Sequence, residues 1–323
     1  MQNTATESQI NDVVNAIEKL SLRAEKLPGA QRMAIGVMDN TAFIDHDRVL
    51  NFPGVKEVIH VTKKYKLVSR EYHPEDTLIT VGENVVFGRE KPVIIAGPCA
   101  IESEKQLFEI AKSVKELGAD MLRGGAFKPR TSPYAFQGMG EEAIKLMSKI
   151  GKEVGIPIVS EIVSISDIDL FKEHVDMIQI GARNMQNFDL LQRVADAGKP
   201  VLLKRGMSAT MEEFLLAAEY ILNRGNSNVV LCERGIRTFE TSSRNILDLN
   251  TLALVKKESH LPIIADPSHS AGRYDLILPL AKAALGAGAQ GLIIEVHNNP
   301  KEALCDGEQS LNLDTFKSLM TQI

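Results

Sequence analysis

The feature that most constrains this chain is a regular alternation of short apolar segments with longer amphipathic ones from Val93 to the C-terminus. Each apolar segment is rich in Val, Ile and Leu with little polar alternation, which is typical of parallel strands buried on both faces. The segments are VIIAG (93–97), MLRGGA (121–126), PIVSEIV (157–163), MIQIGA (177–182), VLLKRG (201–206), NVVLCER (228–234), PIIADP (262–267) and GLIIEV (291–296). Intervening stretches such as EKQLFEIAKSVKELG have the three- and four-residue apolar spacing of helices. This α/β pattern predicts a closed (β/α)8 (TIM) barrel over residues 91–323.

An open doubly wound sheet is the structural alternative. Such a sheet usually has fewer strands and a glycine-rich first turn, and no GxGxxG follows the first predicted strand. The run GAGAQG (286–291) precedes a strand, so it is interpreted as a helix-to-strand turn rather than a phosphate loop. The pattern favours the barrel.

The first ninety residues do not show this regular alternation of strands and helices. They predict a helix (7–20), two strands (21–27 and 32–38), a short helix (45–52) and a third strand, VKEVIHVT (55–62). This α-β-β-α-β order is that of a small α+β ferredoxin-like domain that lacks its first strand. We therefore predict a regulatory domain over residues 1–70 and a connector with a hairpin over residues 71–90.

Composition narrows the class of protein. The 323 residues suffice for a barrel of about 250 residues plus a small domain. A net charge of −5 argues against a partner that is nucleic acid or an anionic membrane. The absence of a long apolar run predicts no membrane span, and the polar N-terminus lacks the features of a signal peptide. Three cysteines are too few for a disulfide scaffold, so we expect a cytoplasmic protein.

Residues capable of chemistry follow every predicted barrel strand, where barrel enzymes build their active sites. Many are cations, although the whole chain is acidic, and they would repel one another unless an anion lay between them. Arg and Lys suit phosphate and carboxylate, so we predict a phosphorylated carboxylic acid as ligand. The cations are Arg123, Lys128, Arg130, Arg183, Lys204, Arg205 and Arg234, and the other groups include Glu161, Glu233, Asp266 and His297.

A second set of strand-end residues offers mixed ligands to a metal. It comprises Cys99, His269, Glu295 and Asp306, from strands one, seven and eight and the loop after strand eight. Strands eight and one are neighbours in a closed barrel, so the four side chains are expected on one arc of the rim. A lone Cys or His is more often structural. Together, a thiolate, an imidazole and two carboxylates predict a site for a divalent first-row metal such as manganese, iron or zinc.

Several of these segments resemble 3-deoxy-D-arabino-heptulosonate 7-phosphate (DAHP) synthases. They are AGPCAIES (96–103), RGGAFKPRTSPYAFQG (123–138), QIGARNMQN (179–187), LLKRG (202–206), CERGIRTFE (232–240), ADPSHSAGR (265–273) and IIEVHNNPKEALCDGEQS (293–310). The likeness is to the small microbial class, whose barrels often carry an N-terminal ferredoxin-like or chorismate mutase domain. It implies the metal-dependent condensation of phosphoenolpyruvate with erythrose 4-phosphate, which opens the shikimate pathway.

The resemblance also implies roles for individual residues. Cys99, His269, Glu295 and Asp306 match the metal ligands, for one divalent ion that is Mn2+ first, with Fe2+, Zn2+, Co2+ or Cd2+ as alternatives. The positions implied for phosphoenolpyruvate are Arg123, Lys128, Arg183, Lys204 and Arg234, with Asp266 beside them. Arg130, Thr131 and Ser132 match the erythrose 4-phosphate site. The expected catalytic set is Lys128, Lys204, Glu161 and His269, in which Glu161 and Lys204 handle the water and the proton as phosphate leaves.

Two alternatives stay open. The sister enzyme 3-deoxy-D-manno-octulosonate 8-phosphate synthase uses arabinose 5-phosphate, and its sugar loop typically contains KANR where this chain has KPRT (128–131). A non-catalytic sensor of aromatic amino acids is the other. For the N-terminal domain we expect feedback inhibition by tyrosine or phenylalanine rather than a helical chorismate mutase. The resemblance further implies a homo-oligomer, often a tetramer.

Overall fold

The computed structural model describes residues 1–28, 32–38, 47–59, 64–128 and 132–323. The chain forms two compact units, Met1–Asp76 and Thr77–Ile323. Among the described helices, none is both long and apolar enough to cross a membrane.

The N-terminal unit contains helix α1 (Glu7–Glu18), strands β1 (Arg23–Pro28) and β2 (Met33–Met38), and helix α2 (Asp47–Leu50). Helix α1 begins at a capping box in which the Thr6 and Gln9 side chains each accept from the other's backbone N–H. Its inner face buries Val13 and Ile17. The two strands pair antiparallel. The predicted first helix and both strands are therefore present.

The predicted third strand is wrong over the part that the structure describes. Residues 55–59 are not in a strand, and within the described part of this unit β1 and β2 pair only with each other. A strand needs a neighbour for its backbone N–H and C=O groups, and no described strand precedes α1 to provide one. Residues 60–62 of this segment lie outside the described residues, as do residues 45 and 46 of the predicted short helix.

The C-terminal unit begins with an antiparallel hairpin, β3 (Ile79–Val81) and β4 (Val85–Phe87), and continues as the predicted eight-stranded barrel. The barrel strands are β5 (Val93–Gly97), β6 (Met121–Arg123), β7 (Ile158–Ile162), β8 (Met177–Ile180), β9 (Val201–Lys204), β10 (Val229–Glu233), β11 (Ile263–Ala265) and β12 (Gly291–Glu295). Neighbours in sequence are neighbours in the sheet, and β12 closes the barrel by pairing in parallel with β5.

Helices follow the barrel strands. They are α3 (Glu104–Glu116), α4 (Glu141–Val154), α5 (Ile168–His174), α6 (Phe188–Asp196), α7 (Met211–Leu222), α8 (Leu249–Glu258), α9 (Pro267–Ala271), α10 (Ile277–Gly286) and α11 (Leu313–Met320). Short 3-10 turns lie at Ile165–Asp167, Ala182–Asn184, Tyr274–Leu276, Pro300–Glu302 and Gly307–Gln309. The first residues of several helices are capped by the preceding side chain, as Ser103 caps α3.

Inside the barrel, one apolar cluster joins the strands to the hairpin. It contains Ile79, Val81, Val85 and Phe87 of the hairpin with Val93, Ile95, Met121, Val159, Met177, Leu202, Val230, Cys232, Ile264 and Ile293. The hairpin therefore fills the N-terminal end of the barrel. Because side chains alternate along a strand, the next inward positions toward the C-terminal end are two residues further on. Those positions are Arg123, Glu161, Gln179, Lys204, Arg234, Asp266 and Glu295.

Candidate active site

The centre of the barrel mouth is a buried ionic cluster around Glu295. Arg123 Nη1 donates to Glu295 Oε1 at 2.7 Å, and His269 Nε2 lies 3.4 Å from the same oxygen. Burial alone would raise the pKa of Glu295, but His269, Arg123 and Lys128 outweigh it and lower that pKa to about 2. The Glu295 carboxylate is therefore ionised. Burial also lowers the pKa of His269, so its imidazole is neutral near pH 7.

Asp266 holds the second part of the cluster in place. Its Oδ1 accepts from the backbone N–H of His269 at 2.9 Å and so caps helix α9. Its Oδ2 accepts from Lys204 Nζ and lies 2.8 Å from His269 Nδ1, although without a satisfactory hydrogen-bond angle. Burial would raise the pKa of Asp266, yet His269 and Lys204 outweigh it and hold the pKa well below its usual value.

Cys99 forms the third part, at the end of β5. Its Sγ lies 3.2 Å from Cys305 Sγ and 3.3 Å from Asp306 Oδ2. Lys128 Nζ approaches both the sulfur, at 3.0 Å, and the backbone oxygen of Cys99, at 3.1 Å. The hydrogen bond to Cys305 and burial raise the pKa of Cys99 well above its usual value, so Cys99 is a neutral thiol in this structure.

The predicted metal ligands come together as two overlapping groups. One ligand atom from each of His269, Glu295 and Asp306 lies within 4.8 Å of the others, and the same holds for Cys99, Cys305 and Asp306. Asp306, whose φ is 53°, belongs to both groups. The arc expected from strands one, seven and eight is therefore present. Cys305, which precedes Asp306 in the sequence, contributes a second thiol.

The predicted substrate residues divide between the mouth and its edge. Arg234 is buried, donates weakly to the His269 carbonyl at 3.5 Å, and has its pKa lowered by burial. Arg183 is exposed in the 3-10 turn after β8. Ser132 is exposed, and its Oγ accepts from the backbone N–H of Tyr134 at 3.3 Å. Arg130 and Thr131 lie outside the described residues.

Glu161 points into the barrel beside Gln179, which faces it from β8. Gln179 Nε2 donates to Glu161 Oε2 at 3.0 Å. A Cβ at Gly181 would lie only 1.9 Å from Glu161 Oε1, so this carboxylate fills the space that a larger residue at 181 would need. Glu161 is half-buried and close to solvent, a suitable place for an acid–base residue.

Three residues expected at the mouth are engaged elsewhere. Arg205 and Glu233 follow the strand parity that points away from the barrel interior, and Arg205 Nη1 donates to Glu233 and to Asp248 at 2.9 Å each. This buried pair fastens β9 and β10 to the start of α8. His297 Nε2 lies 3.5 Å from Glu102 and links the loops that follow β12 and β5. Arg205 and Glu233 therefore point away from the barrel interior, and His297 faces Glu102.

Two residues at the mouth were missed by the sequence reasoning. Gln309 donates from Nε2 to Glu295 Oε2 at 2.5 Å, and Arg244 Nη1 donates to Gln309 Oε1 at 2.8 Å. Arg244 also lies 3.7 Å from Asp306 Oδ2. Gln309 stands three residues after Asp306 in the segment CDGEQS, and that short spacing was the available signal.

Comparison with known proteins gives the family. A model of the DAHP synthetase I family matches residues 75–323, and a model of the DAHP synthase ferredoxin-like domain matches residues 1–63. The chain belongs to the DAHP synthetase I family. It is 48% identical over 319 residues to phospho-2-dehydro-3-deoxyheptonate aldolase of Thermotoga maritima, which covers 99% of this chain and 94% of that protein.

Solved structures agree with this membership of the DAHP synthetase I family. The crystal structure of the T. maritima phospho-2-dehydro-3-deoxyheptonate aldolase (DAHP synthase) has a TM-score of 0.80 and 47% identity, covering 99% of this chain and 94% of that one. A truncated form of 3-deoxy-D-arabino-heptulosonate 7-phosphate synthase from T. maritima has a TM-score of 0.74 and 49% identity over 79% of this chain and 94% of that one.

A more distant relative represents the sister activity. The 2-dehydro-3-deoxyphosphooctonate aldolase of Syntrophotalea carbinolica is 32% identical over 259 residues, or 74% of this chain and 92% of that protein. The matches together confirm the predicted family, the barrel with its ferredoxin-like domain, and the enzyme class, DAHP synthase.

Proposed function

We propose that this chain joins C3 of phosphoenolpyruvate to the aldehyde carbon of erythrose 4-phosphate, with water adding at C2 and phosphate leaving. One observation carries the proposal: the cations expected for phosphoenolpyruvate touch the groups expected for the metal. Arg123 contacts Glu295, and Lys128 contacts Cys99. Contact between the two sets supports adjacent positions for an anionic substrate and a metal, as this condensation needs.

Phosphoenolpyruvate would be held by the buried cations of the mouth. Arg123, Lys204 and Arg234 are each buried. Arg123 and Lys204 each pair with one carboxylate, Glu295 and Asp266 respectively, whereas Arg234 contacts backbone carbonyls. Arg234 therefore carries charge that no described carboxylate neutralises at hydrogen-bond distance, and a buried guanidinium in that state favours a bound anion. Arg183, exposed at the edge, would add a cation from β8.

The residues fit a divalent metal. A neutral His269 can offer the lone pair of Nε2 while Nδ1 faces the carboxylate of Asp266, the outer-sphere partner that metal-bound histidines usually have. The ionised Glu295, Asp306 and the Cys99 thiol complete a mixed donor set that accepts Mn2+, Fe2+, Zn2+, Co2+ or Cd2+. When bound, such an ion would supply Lewis-acid polarisation of the aldehyde carbonyl.

The chain's own groups would manage the protons. Glu161 would take a proton from the water that adds at C2, because its carboxylate faces the barrel interior and, among the described residues, only its Oε2 accepts a hydrogen bond, from Gln179. Lys204, which pairs with Asp266, would donate a proton as phosphate leaves. Lys128 would neutralise charge beside Cys99, and His269 would serve as ligand rather than as base.

Erythrose 4-phosphate would bind at the outer edge of the mouth, at the KPRTS segment (128–132). Ser132, the last residue of this motif, is exposed, as a residue that receives the second substrate should be. We keep Arg130 and Thr131 as proposed partners of the sugar phosphate on the resemblance alone. Proline at 129 removes a backbone donor and stiffens the segment, which would favour the shorter sugar.

The wider setting follows from the family. We propose feedback inhibition by tyrosine or phenylalanine through the N-terminal unit, a homo-oligomer such as a tetramer, and a cytoplasmic location. Turnover measured across added tyrosine and phenylalanine tests the first point. A rate that neither amino acid changes would refute feedback by these ligands.

The main test measures phosphoenolpyruvate consumption with erythrose 4-phosphate and, separately, with arabinose 5-phosphate. Each assay is repeated after chelator treatment and again after Mn2+ is restored. We expect turnover with the four-carbon sugar alone, lost to chelator and regained with Mn2+. Preference for arabinose 5-phosphate would assign the octulosonate activity instead, and no turnover with either in folded, metal-loaded protein would favour the sensor.

A matched pair of cysteine variants isolates the metal site. Cys99 and Cys232 are both buried barrel cysteines, but only Cys99 belongs to a group of candidate ligands. We expect Cys99→Ala to lose Mn2+-dependent turnover and Cys232→Ala to keep it. Equal behaviour of the two variants would contradict the assignment of Cys99.

A further inference from the structure

Gln309 connects two carboxylates of the candidate metal site through one amide. It ends the short turn Gly307–Gln309 that follows Asp306, and its side chain is buried. Its Nε2 donates to Glu295 Oε2 at 2.5 Å and reaches Asp306 Oδ2 at 3.5 Å. The same amide therefore contacts the carboxylate that ends β12 and the carboxylate of the following loop.

Arg244 fixes which way this amide points. Its Nη1 donates to Gln309 Oε1 at 2.8 Å. An ionised carboxylate only accepts hydrogen bonds and a guanidinium only donates them, so a single amide orientation satisfies both neighbours. The reverse orientation would set the amide oxygen against two carboxylates and the amide nitrogen against Arg244.

Arg244 is itself held by the segment that carries His269. The Arg244 N–H donates to the Ala271 carbonyl at 3.0 Å, and the Asn245 N–H donates to the Ser270 carbonyl at 2.8 Å. Asn245 Nδ2 also donates to the His269 carbonyl at 3.0 Å. Glu295, Asp306 and the backbone after His269 are thus joined by one continuous set of hydrogen bonds.

We infer that Gln309, oriented by Arg244, is a positioning residue for the metal centre, an inference that rests on the proposed function. Gln309 occupies Oε2 of Glu295, and this fixes the rotation that presents Oε1 toward His269 Nε2. A side chain without an amide would leave that rotation unset and Oε2 without this donor. A glutamate at 309 would add a third carboxylate to the two already present.

The test measures Mn2+ affinity of the full chain directly, by competition with a fluorescent chelator after the bound metal has been removed. Gln309→Met keeps the length of the side chain and loses the hydrogen bonds with Glu295, Asp306 and Arg244. Loss of an outer-sphere partner typically weakens metal binding about 10- to 100-fold, and we expect that range here. Gln290→Met is the matched control, because its amide accepts from Ile263 at the opposite end of the barrel. It should bind Mn2+ as the wild type does.

Arg244 provides a second, independent variant that does not enter the buried site. Its side chain is partly exposed, so Arg244→Met should fold even where Gln309→Met does not. We expect Arg244→Met to weaken Mn2+ binding and Arg244→Lys, which retains a donor, to restore part of it. The double variant should bind no more weakly than Gln309→Met alone where Arg244 acts through Gln309, whereas a further loss would report the direct approach of Arg244 to Asp306 Oδ2 at 3.7 Å.

The outcomes separate this role from the proposed function. Wild-type affinity in Gln309→Met and Arg244→Met, with the wild type binding Mn2+, would overturn the role of Gln309 and leave the metal centre standing. Additive losses in the double variant would overturn the relay from Arg244 to Gln309. A wild-type chain that binds no divalent metal would overturn the metal centre and this inference together.

Discussion

The two ends of the barrel are built by the same strands and differ in nearly every inward-facing residue. At the N-terminal end the inward side chains are Val, Ile, Leu and Met, packed on the hairpin β3–β4. Two residues further along, β6 changes from Met121 to Arg123, β9 from Leu202 to Lys204, and β12 from Ile293 to Glu295. A step of two residues along each strand therefore separates the apolar cluster at the N-terminal end from the charged mouth at the C-terminal end. This apolar cluster, formed by the hairpin and the barrel strands, is called the plug below.

The difference teaches where stability and chemistry lie. Burial of apolar side chains is the main favourable term in folding, and the plug supplies it close to the barrel axis. Buried ion pairs such as Arg123–Glu295 and Lys204–Asp266 contribute little net stability, because desolvation offsets their attraction. In the proposed function, these pairs would hold charges ready for a substrate and a metal. A substitution at the mouth should therefore lower activity and leave stability unchanged. A substitution at the N-terminal end should lower stability and leave activity per folded molecule unchanged.

The largest expected effect is a loss of activity at the mouth. Glu161→Gln keeps the shape of the side chain and a hydrogen-bond acceptor for Gln179, but removes the ability to take a proton. Loss of a general acid–base group typically lowers the rate about 10²- to 10⁴-fold, and we expect a fall in kcat within that range. Steady-state kinetics at saturating substrates, with Mn2+ present, measure it.

The same variant should leave the fold unchanged. Its thermal midpoint is expected close to that of the wild type, since no apolar contact is lost. A kcat within a few-fold of the wild type would remove Glu161 from the chemistry and leave Lys204 as the remaining candidate for proton transfer.

The next effect is a loss of stability at the plug. Phe87 is fully buried in the cluster shared by the hairpin and the barrel strands. Phe87→Ala should lower the free energy of unfolding by about 3–5 kcal/mol, the usual result of removing a buried aromatic ring. Urea denaturation measures this loss, and kcat per folded molecule at low temperature should stay near the wild-type value.

Phe239→Ala serves as the control for Phe87→Ala. Phe239 is 97% exposed in the loop after β10, so its removal should change the free energy of unfolding by less than about 0.5 kcal/mol. Equal destabilisation by the two variants would mean that the hairpin does not contribute to the core as its packing indicates.

The smallest effect is the dependence of metal affinity on pH. Cys305 and burial raise the pKa of Cys99, so the metal-free thiol is protonated at neutral pH, whereas a metal ligand must be a thiolate. Binding should therefore release about one proton, and Mn2+ affinity should rise about tenfold per pH unit below the thiol pKa. Calorimetry in buffers of different ionisation enthalpy counts the proton. No release would indicate that Cys99 stays protonated or does not bind.

The barrel could be predicted from the sequence because strands buried on both faces leave an unbroken apolar signal. The expected segment 93–97 coincides with β5, and the others differ from the observed strands by a few residues at their ends. The prediction of a third N-terminal strand was wrong because the alternation of side chains does not show whether a partner strand exists. Residues 55–59 have the composition of a strand and no ladder partner within the described part of the chain.

The sequence could predict which charged residues lie near the candidate site. It could not predict which of their side chains point into the barrel. Proximity to a strand end placed Arg205 and Glu233 at the mouth, although a count of strand parity from Lys204 would have turned Arg205 outward. Gln309 was missed because an amide carries no charge and its meaning depends on Arg244, a residue distant in sequence. A residue that acts through a neighbouring side chain can be recognised only once the structure shows that contact.

The hairpin also has a consequence for access to the barrel interior. With the N-terminal end of the barrel filled, reactants arrive and products depart through the same opening at the C-terminal end. The cations Arg123, Lys204 and Arg234 are buried, whereas Ser132 is exposed. A sugar phosphate at the rim would stand between the solvent and the deeper site. With the two substrates at the sites proposed above, phosphoenolpyruvate would enter before the sugar phosphate, and the seven-carbon product would have to leave before the next turnover could begin.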